Sequence, residues 1–340
     1  MLPRRSSAVA SRRVDACEGQ QGLTTVAYRE PEFLPWDGRR VPLTFVGGYL
    51  GAGKTTVIND VLATTDRPIA VIVNDVGAIN IDAKLIRKRH GDTIELTNGC
   101  ICCGSIEEMG AAFDRIRARP NPPDHVIVEL SGVADPQRMI PWGQSAGFML
   151  DGVVVVVAAD QLLDGALPEF ITTQLHSQIR DADLLILTKT DLADAEAVRS
   201  ANARLAELAP YTPVFLGGPD HVGQGAVGQF LALGGRGPRG PIDVATPTLF
   251  DAHETRTVKV PWGITSTDLS VWVQHLQDHL ADRIVRAKGF VNTVDHGLLM
   301  VQVVGSRCEI SEVPRPELQE PTDLVVITLR EGFVASPAVA

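Results

Sequence analysis

Short runs that are apolar at every position alternate along this chain with stretches whose apolar residues recur every three or four positions. Leu43–Val46, Ile69–Val73, Val126–Leu130, Val153–Ala158 and Leu184–Leu187 are of the first kind and rich in valine, leucine and isoleucine. A strand with no polar face has to be covered on both sides, the condition of a parallel sheet between helices. Lys54–Ala63, Ile106–Ala118 and Phe170–Arg180 are of the second kind and predict the covering helices. The alternation implies an α/β fold, a mostly parallel sheet flanked by helices. Gly217–Pro241 is crowded with glycine and reads as a linker or long loop. Beyond it Thr255–Val260 alternates, Ser266–Asp282 has helical spacing, and Leu298–Val304 and Leu324–Leu329 are strand-like, which predicts a small α+β domain. The expected division is a disordered tail over 1–40, a first domain over 41–220, a Gly/Pro-rich linker over 221–245 and a second domain over 246–335.

Composition narrows the class without naming it. With 44% hydrophobic and 21% charged residues in 340, the chain has enough apolar surface to offset chain entropy, so disorder is excluded as its dominant state. No apolar run approaches the roughly 18–20 residues of a spanning helix, so no membrane partner is expected. A formal charge of −10 argues against nucleic acid as a partner. Five cysteines are too few for a disulfide scaffold and point to a reducing compartment, the cytoplasm. Arg4, Arg5, Arg12 and Arg13 give the start a transit-peptide flavour, which Asp15 and Glu18 counter.

The strongest motif follows the first strand. Gly48-Tyr49-Leu50-Gly51-Ala52-Gly53-Lys54-Thr55 fits G-x-x-x-x-G-K-[ST], between a predicted strand and a predicted helix. Its glycines let backbone N–H groups turn inward around phosphates, and the helix N-terminus adds positive potential. Lys54 is placed for the β- and γ-phosphates and the Thr55 hydroxyl for Mg²⁺. The fold class sharpens accordingly to a P-loop NTPase.

Two further strand ends carry chemistry. Val126–Leu130 brings Glu129 to the carboxyl end of a buried strand, followed by Gly132. That is where such folds place a carboxylate that orients magnesium or water and an amide that senses the γ-phosphate. Leu184–Leu187 is followed by Thr188-Lys189-Thr190-Asp191, a Lys-x-Asp that can read a base. A carboxylate there accepts from the N1–H and 2-amino group of guanine; adenine offers neither, so GTP is favoured over ATP. Cys100-Ile101-Cys102-Cys103, flanked by Gly99 and Gly104, gathers three thiols within four residues. They can converge on a soft or borderline cation such as Zn²⁺, one ligand short of a closed tetrahedral site. A redox pair or small buried side chains are the other readings of the same residues.

Taken together, these motifs resemble the CobW-type GTPases. The resemblance is carried by Gly48–Thr56 (GYLGAGKTT), Val73–Gly77 with Ile81-Asp82, Gly99–Cys103 (GCICC), Glu129–Pro136 (ELSGVADP), Gln178–Asp183 and Thr188–Leu192 (TKTDL). Arg286–Gly289 in the second domain is similar to that family's C-terminal domain. The match runs from about Pro42 to Leu329. It implies a GTPase whose GTP cycle gates metal binding and delivery of zinc, or of cobalt or iron, to a client metalloprotein. By that resemblance Cys100, Cys102 and Cys103 are metal-site residues. Lys54, Asp75 and Glu129 are catalytic, and Gly48, Gly51, Ala52, Gly53, Lys54, Thr55, Thr56, Gly132, Thr188, Lys189 and Asp191 bind GTP, with Thr55 on Mg²⁺. Asp75 stands where the family usually has Glu, and Ala209-Pro210 where an Asn-Pro often flanks guanine. A homodimer is compatible with an open metal site. The alternatives are a nucleotide- and zinc-binding regulatory module, or an activator of one metalloenzyme such as a nitrile hydratase or a cobalamin-pathway protein.

Other features read as structural. His275 and His279 share the polar side of their predicted helix with Asp278 and Asp282. Cys308 is isolated, Cys17 lies in the expected tail, and Arg87–His90 is a short basic run.

Overall fold

The computed structural model describes residues 35–74, 93–96, 106–163, 167–217, 224–235, 249–280, 284–313 and 321–330. Seven parallel strands form the first sheet: β1 (Val41–Gly47), β2 (Ile69–Asn74), β3 (Thr93–Leu96), β4 (His125–Glu129), β5 (Phe148–Ala158), β6 (Leu184–Thr188) and β7 (Val214–Leu216). Their order is β3-β2-β4-β1-β5-β6-β7, so β1 lies at the centre, between β4 and β5.

Side chains alternate across each strand, and helices cover both faces. Val46, Val154, Val156 and Ile186 point to one face, under Val57, Ile58 and Val61 of helix α1 (Lys54–Thr64). Leu43, Phe45, Val155 and Leu185 point to the other. There they meet α2 (Ile106–Arg117) through Phe113, α3 (Pro136–Gly143) through Met139, α4 (Glu169–Asp181) through Leu175 and α5 (Ala195–Leu208) through Leu205. This double cover explains why the strands are apolar throughout.

Two expectations need correction. Residues 35–40, assigned to the tail, fold onto the sheet: Trp36 meets Phe148 edge to face at 5.9 Å and donates to the Arg119 carbonyl at 2.9 Å. Residues 1–34 lie outside the described residues. Within the glycine-rich stretch read as a linker, Gln224–Phe230 is a helix, α6, and Ala226, Val227, Phe230 and Leu231 are buried against the α1 face. Their spacing is one helical face, masked in composition by the surrounding glycines.

After α7 (Leu249–Ala252) comes an antiparallel five-stranded sheet: β8 (His253–Val258), β9 (Ile284–Thr293), β10 (Gly297–Val304), β11 (Arg307–Glu312) and β12 (Leu324–Leu329), ordered β11-β10-β9-β12-β8. Helix α8 (Ser266–Leu280) covers one face, with Leu269 and Val273 against Ala287, Val301, Val303 and Val326. From the opposite face Ile327 joins the apolar cluster that contains Tyr49 and Leu50 of the first domain. No helix among the described residues is long and apolar enough to cross a membrane.

Candidate nucleotide site

The carboxyl ends of the central strands gather the first group of expected residues. The chain leaves β1 through Gly48 (φ 124°), where a β-carbon would collide with the Val156 carbonyl oxygen. At Gly53 it turns through φ 91° into α1, and Val57 N–H bonds to its carbonyl. Lys54 is buried, its Nζ donating to the carbonyls of Gly48 at 3.0 Å and Tyr49 at 3.3 Å. The Thr55 hydroxyl donates to Glu129 Oε1 at 2.7 Å, across from β1 to β4. Glu129 is 2% exposed, held by the pairing of Val46 with Glu129. A hydroxyl and a carboxylate oxygen brought to one point form a hard-oxygen donor set that fits Mg²⁺.

The loop after β4 closes on the phosphate loop. A β-carbon at Gly132 would stand 2.7 Å from the Leu50 nitrogen, so only glycine permits this approach. Asp135 caps α3 through the Gln137 N–H at 2.9 Å; burial raises its pKa, opposed by that bond and by Arg138. Gln178 of α4 donates to the Ala134 carbonyl at 3.3 Å and braces the same loop.

The residues expected to read the base lie two strands away, at the end of β6. The Thr188 hydroxyl donates to the Ala52 carbonyl at 2.6 Å and the Val157 carbonyl at 3.2 Å, tying β6 to the phosphate loop. Lys189 has φ 55°, an uncommon backbone for a non-glycine residue, and starts the turn closed by the Leu192 N–H on its carbonyl. Asp191 is exposed in that turn, and Thr190 donates to the Gly217 carbonyl at 2.9 Å, joining it to the end of β7. Burial lowers the Lys189 pKa; Asp160 opposes that, Arg307 and Arg286 add to it, and Asp191 opposes it.

Some expectations fall elsewhere. Ala209-Pro210 follows α5 and precedes β7, whose carboxyl end at Leu216 is the end beside Lys189. It therefore lies at the amino ends of the strands, the opposite end from the site. Thr56, by contrast, stays beside Thr55 in the first turn of α1, exposed. Asp75, Cys100, Cys102 and Cys103 lie outside the described residues; β2 ends at Asn74 just before Asp75, and the cysteines fall between β3 and α2 in sequence.

Sequence reasoning missed several supports. Asp160 and Gln161 follow β5 in a 3-10 turn, Ala159–Leu162. Gln161 donates to the Leu50 carbonyl at 2.8 Å, and Asp160 accepts from Arg307 at 3.0 Å. The signal was available, because an acid after a buried strand was the argument used for Glu129. The buried hydrogen bond between Tyr49 and His253 of β8, at 2.7 Å, left no sequence signal, since its partners are 204 positions apart.

A central strand, a glycine-lined loop, a helix opening with Lys-Thr and a carboxylate on the neighbouring strand define a P-loop nucleotide-binding protein. The family is also shown. The model of the CobW/HypB/UreG nucleotide-binding domain matches residues 42–215, and that of the Cobalamin synthesis protein cobW C-terminal domain matches 255–333. The chain belongs to the CobW/HypB/UreG family. It is 28% identical over 312 residues to the zinc chaperone CobW of Sinorhizobium sp, covering 79% of this chain and 87% of that one. It is 35% identical over 191 residues to the zinc chaperone YjiA of Escherichia coli, covering 53% and 59%. It is 29% identical over 206 residues to the zinc-regulated GTPase metalloprotein activator 1 of Saccharomyces cerevisiae, covering 52% and 48%.

Proposed function

We propose that this chain is a GTP-hydrolysing metallochaperone that binds zinc through Cys100, Cys102 and Cys103 and delivers it to a client metalloprotein. The observation that carries the nucleotide half is the Thr55–Glu129 contact at the mouth of the phosphate loop, with Lys54 buried beside it. The metal half is supported by the cysteine spacing and by relatives named as zinc chaperones.

In this reading the N–H groups of the phosphate loop bind the phosphates, and Lys54 exchanges its two carbonyl partners for β- and γ-phosphate oxygens. Asp191 accepts from guanine, and Lys189 lies between base and phosphates. Thr55 and Glu129 hold Mg²⁺, which when bound neutralises charge developing on the phosphates. Glu129 and Asp75 orient the attacking water, and the Gly132 N–H senses the γ-phosphate. Asn74–Asp82 follows β2, and the cysteine segment lies in sequence between it and the strand that carries Glu129, so the presence of the γ-phosphate biases the exposure of the thiols.

Zinc is the cargo, and an open site of two or three thiolates suits exchange better than a closed structural one. The test is a zinc titration against a competing chelator, with GDP and with a non-hydrolysable GTP analogue. Zinc affinity changes with nucleotide, and GTP affinity changes with zinc by the same factor, as linkage requires. Equal affinities in both states remove the gating. Unchanged affinity after replacing all three cysteines by serine removes the metal from this segment.

A further inference from the structure

Directly opposed residues of an antiparallel sheet share a face, which makes the register of the second sheet informative. Ile327 lies opposite Arg286, Arg286 opposite Val304, and Val304 opposite Arg307, a row crossing β12, β9, β10 and β11. The row faces the first domain. Ile327 is 2% exposed in the cluster with Tyr49 and Leu50. Val304 lies on the phosphate loop, so close that a β-carbon on Gly51 would come within 2.6 Å of its Cγ1. Arg307 pairs with Asp160 at 3.0 Å, just beyond the end of β5. Both arginines also act on Lys189 at the end of β6.

The row therefore spans from the phosphate-binding end of the site to its base-reading end. A nucleotide laid along the carboxyl ends of β1, β5 and β6 has its ribose and α-phosphate between Gly51 and Lys189. We infer that the nucleotide site is composite, with Arg286, Val304 and Arg307 of the second domain forming its outer wall at the ribose and α-phosphate, latched by the Arg307–Asp160 pair. This rests on the reading of the site as a guanine-nucleotide site.

Arg286, Arg307 and Lys189 bring three cations to one region, where Asp160 supplies a carboxylate. The positive potential of these side chains attracts an α-phosphate entering there. The Asp160 Oδ1 atom is buried and accepts no hydrogen bond among the described residues, so the carboxylate has capacity for another donor. Because GDP and GTP both carry an α-phosphate, the wall holds both and governs release of either. Product release then requires the second sheet to lift from the loop.

Stopped-flow displacement of fluorescent GDP and GTP analogues from the full chain tests this. Arg307→Ala and Asp160→Ala each speed dissociation roughly fivefold, the size an exposed ion pair supports. The double variant releases no faster than either single one, and Arg307→Lys restores most of the slow release. Salt near 1 M, where screening extends only about 3 Å, closes the gap between variant and parent, which a merely structural role would not do. Arg307 is 48% exposed, so these variants are expected to fold, as thermal melts will verify. If the parent does not bind labelled GDP, the nucleotide reading and the wall fall together. If it binds and every variant releases at the parent rate, the wall alone falls.

Discussion

Lys54 rests against two backbone carbonyls, each a weaker partner for a full charge than a phosphate oxygen. Lys54→Ala is expected to lower kcat for GTP by about 100-fold or more, read by phosphate release, with zinc binding by the cysteines largely retained. Asp191 is exposed in the turn after β6, and the contribution proposed for it is of the opposite kind, discrimination. Asp191→Asn is expected to relax guanine preference towards xanthine nucleotides, measured by competition for a labelled nucleotide; equal binding of ATP and GTP by the parent defeats the idea. A third residue concerns stability. His125 is buried between β4 and β1, with Nε2 at 2.8 Å from the Thr44 hydroxyl, and burial pushes its pKa down to about 4, against a raising effect of Asp151 and a lowering one of Arg67. Above pH 6.5 the imidazole is neutral in both folded and unfolded chains. Between 6.5 and 4 the unfolded chain takes up a proton that the folded one refuses, so stability falls with pH by up to about 3 kcal/mol. Urea unfolding from pH 7.5 to 4.5 should show this slope reduced in His125→Asn.

At the scale of elements, α6 is the most informative. Its sequence contains two glycines in seven residues, yet Phe230 is fully buried against the face that α1 covers. Phe230→Ala is expected to cost about 3–5 kcal/mol in urea unfolding, the range for an aromatic removed from a core. A value near zero would return the segment to the linker it resembles. Central strands were legible because burial on both faces leaves continuous apolar runs, as in Val153–Ala158. β11 (Arg307–Glu312) was not, because it is an edge strand with mostly exposed or half-buried side chains and no apolar run. β7 is three residues long and gave no period to read.

At the scale of the molecule, the two domains meet through Tyr49 and His253. The His253 Nδ1 atom bonds to the Leu249 carbonyl and must donate, so the neutral ring accepts from the Tyr49 hydroxyl at Nε2. Burial favours that neutral form, lowering the His253 pKa and raising that of Tyr49. Tyr49→Phe leaves a buried acceptor unmet and is expected to cost about 1–2 kcal/mol. A cycle with His253→Phe should show the two changes to be non-additive, because they remove the same bond. Since Tyr49 lies inside the phosphate loop, this one bond ties β8 to that loop.

Local chemistry was decided within the sequence. Gly48, Gly53, Lys54 and Thr55 lie in a turn and a helix start only eight residues long, and Glu129 and Asp191 at or just after strand ends, so spacing and apolar runs were enough to mark them as candidates. Which groups are brought opposite these residues was decided by tertiary structure alone. Asp160 with Arg307, Tyr49 with His253, and Gly51 with Val304 are separated by 147, 204 and 253 positions. No local period records such a pairing, because it depends on how one sheet is docked on the other.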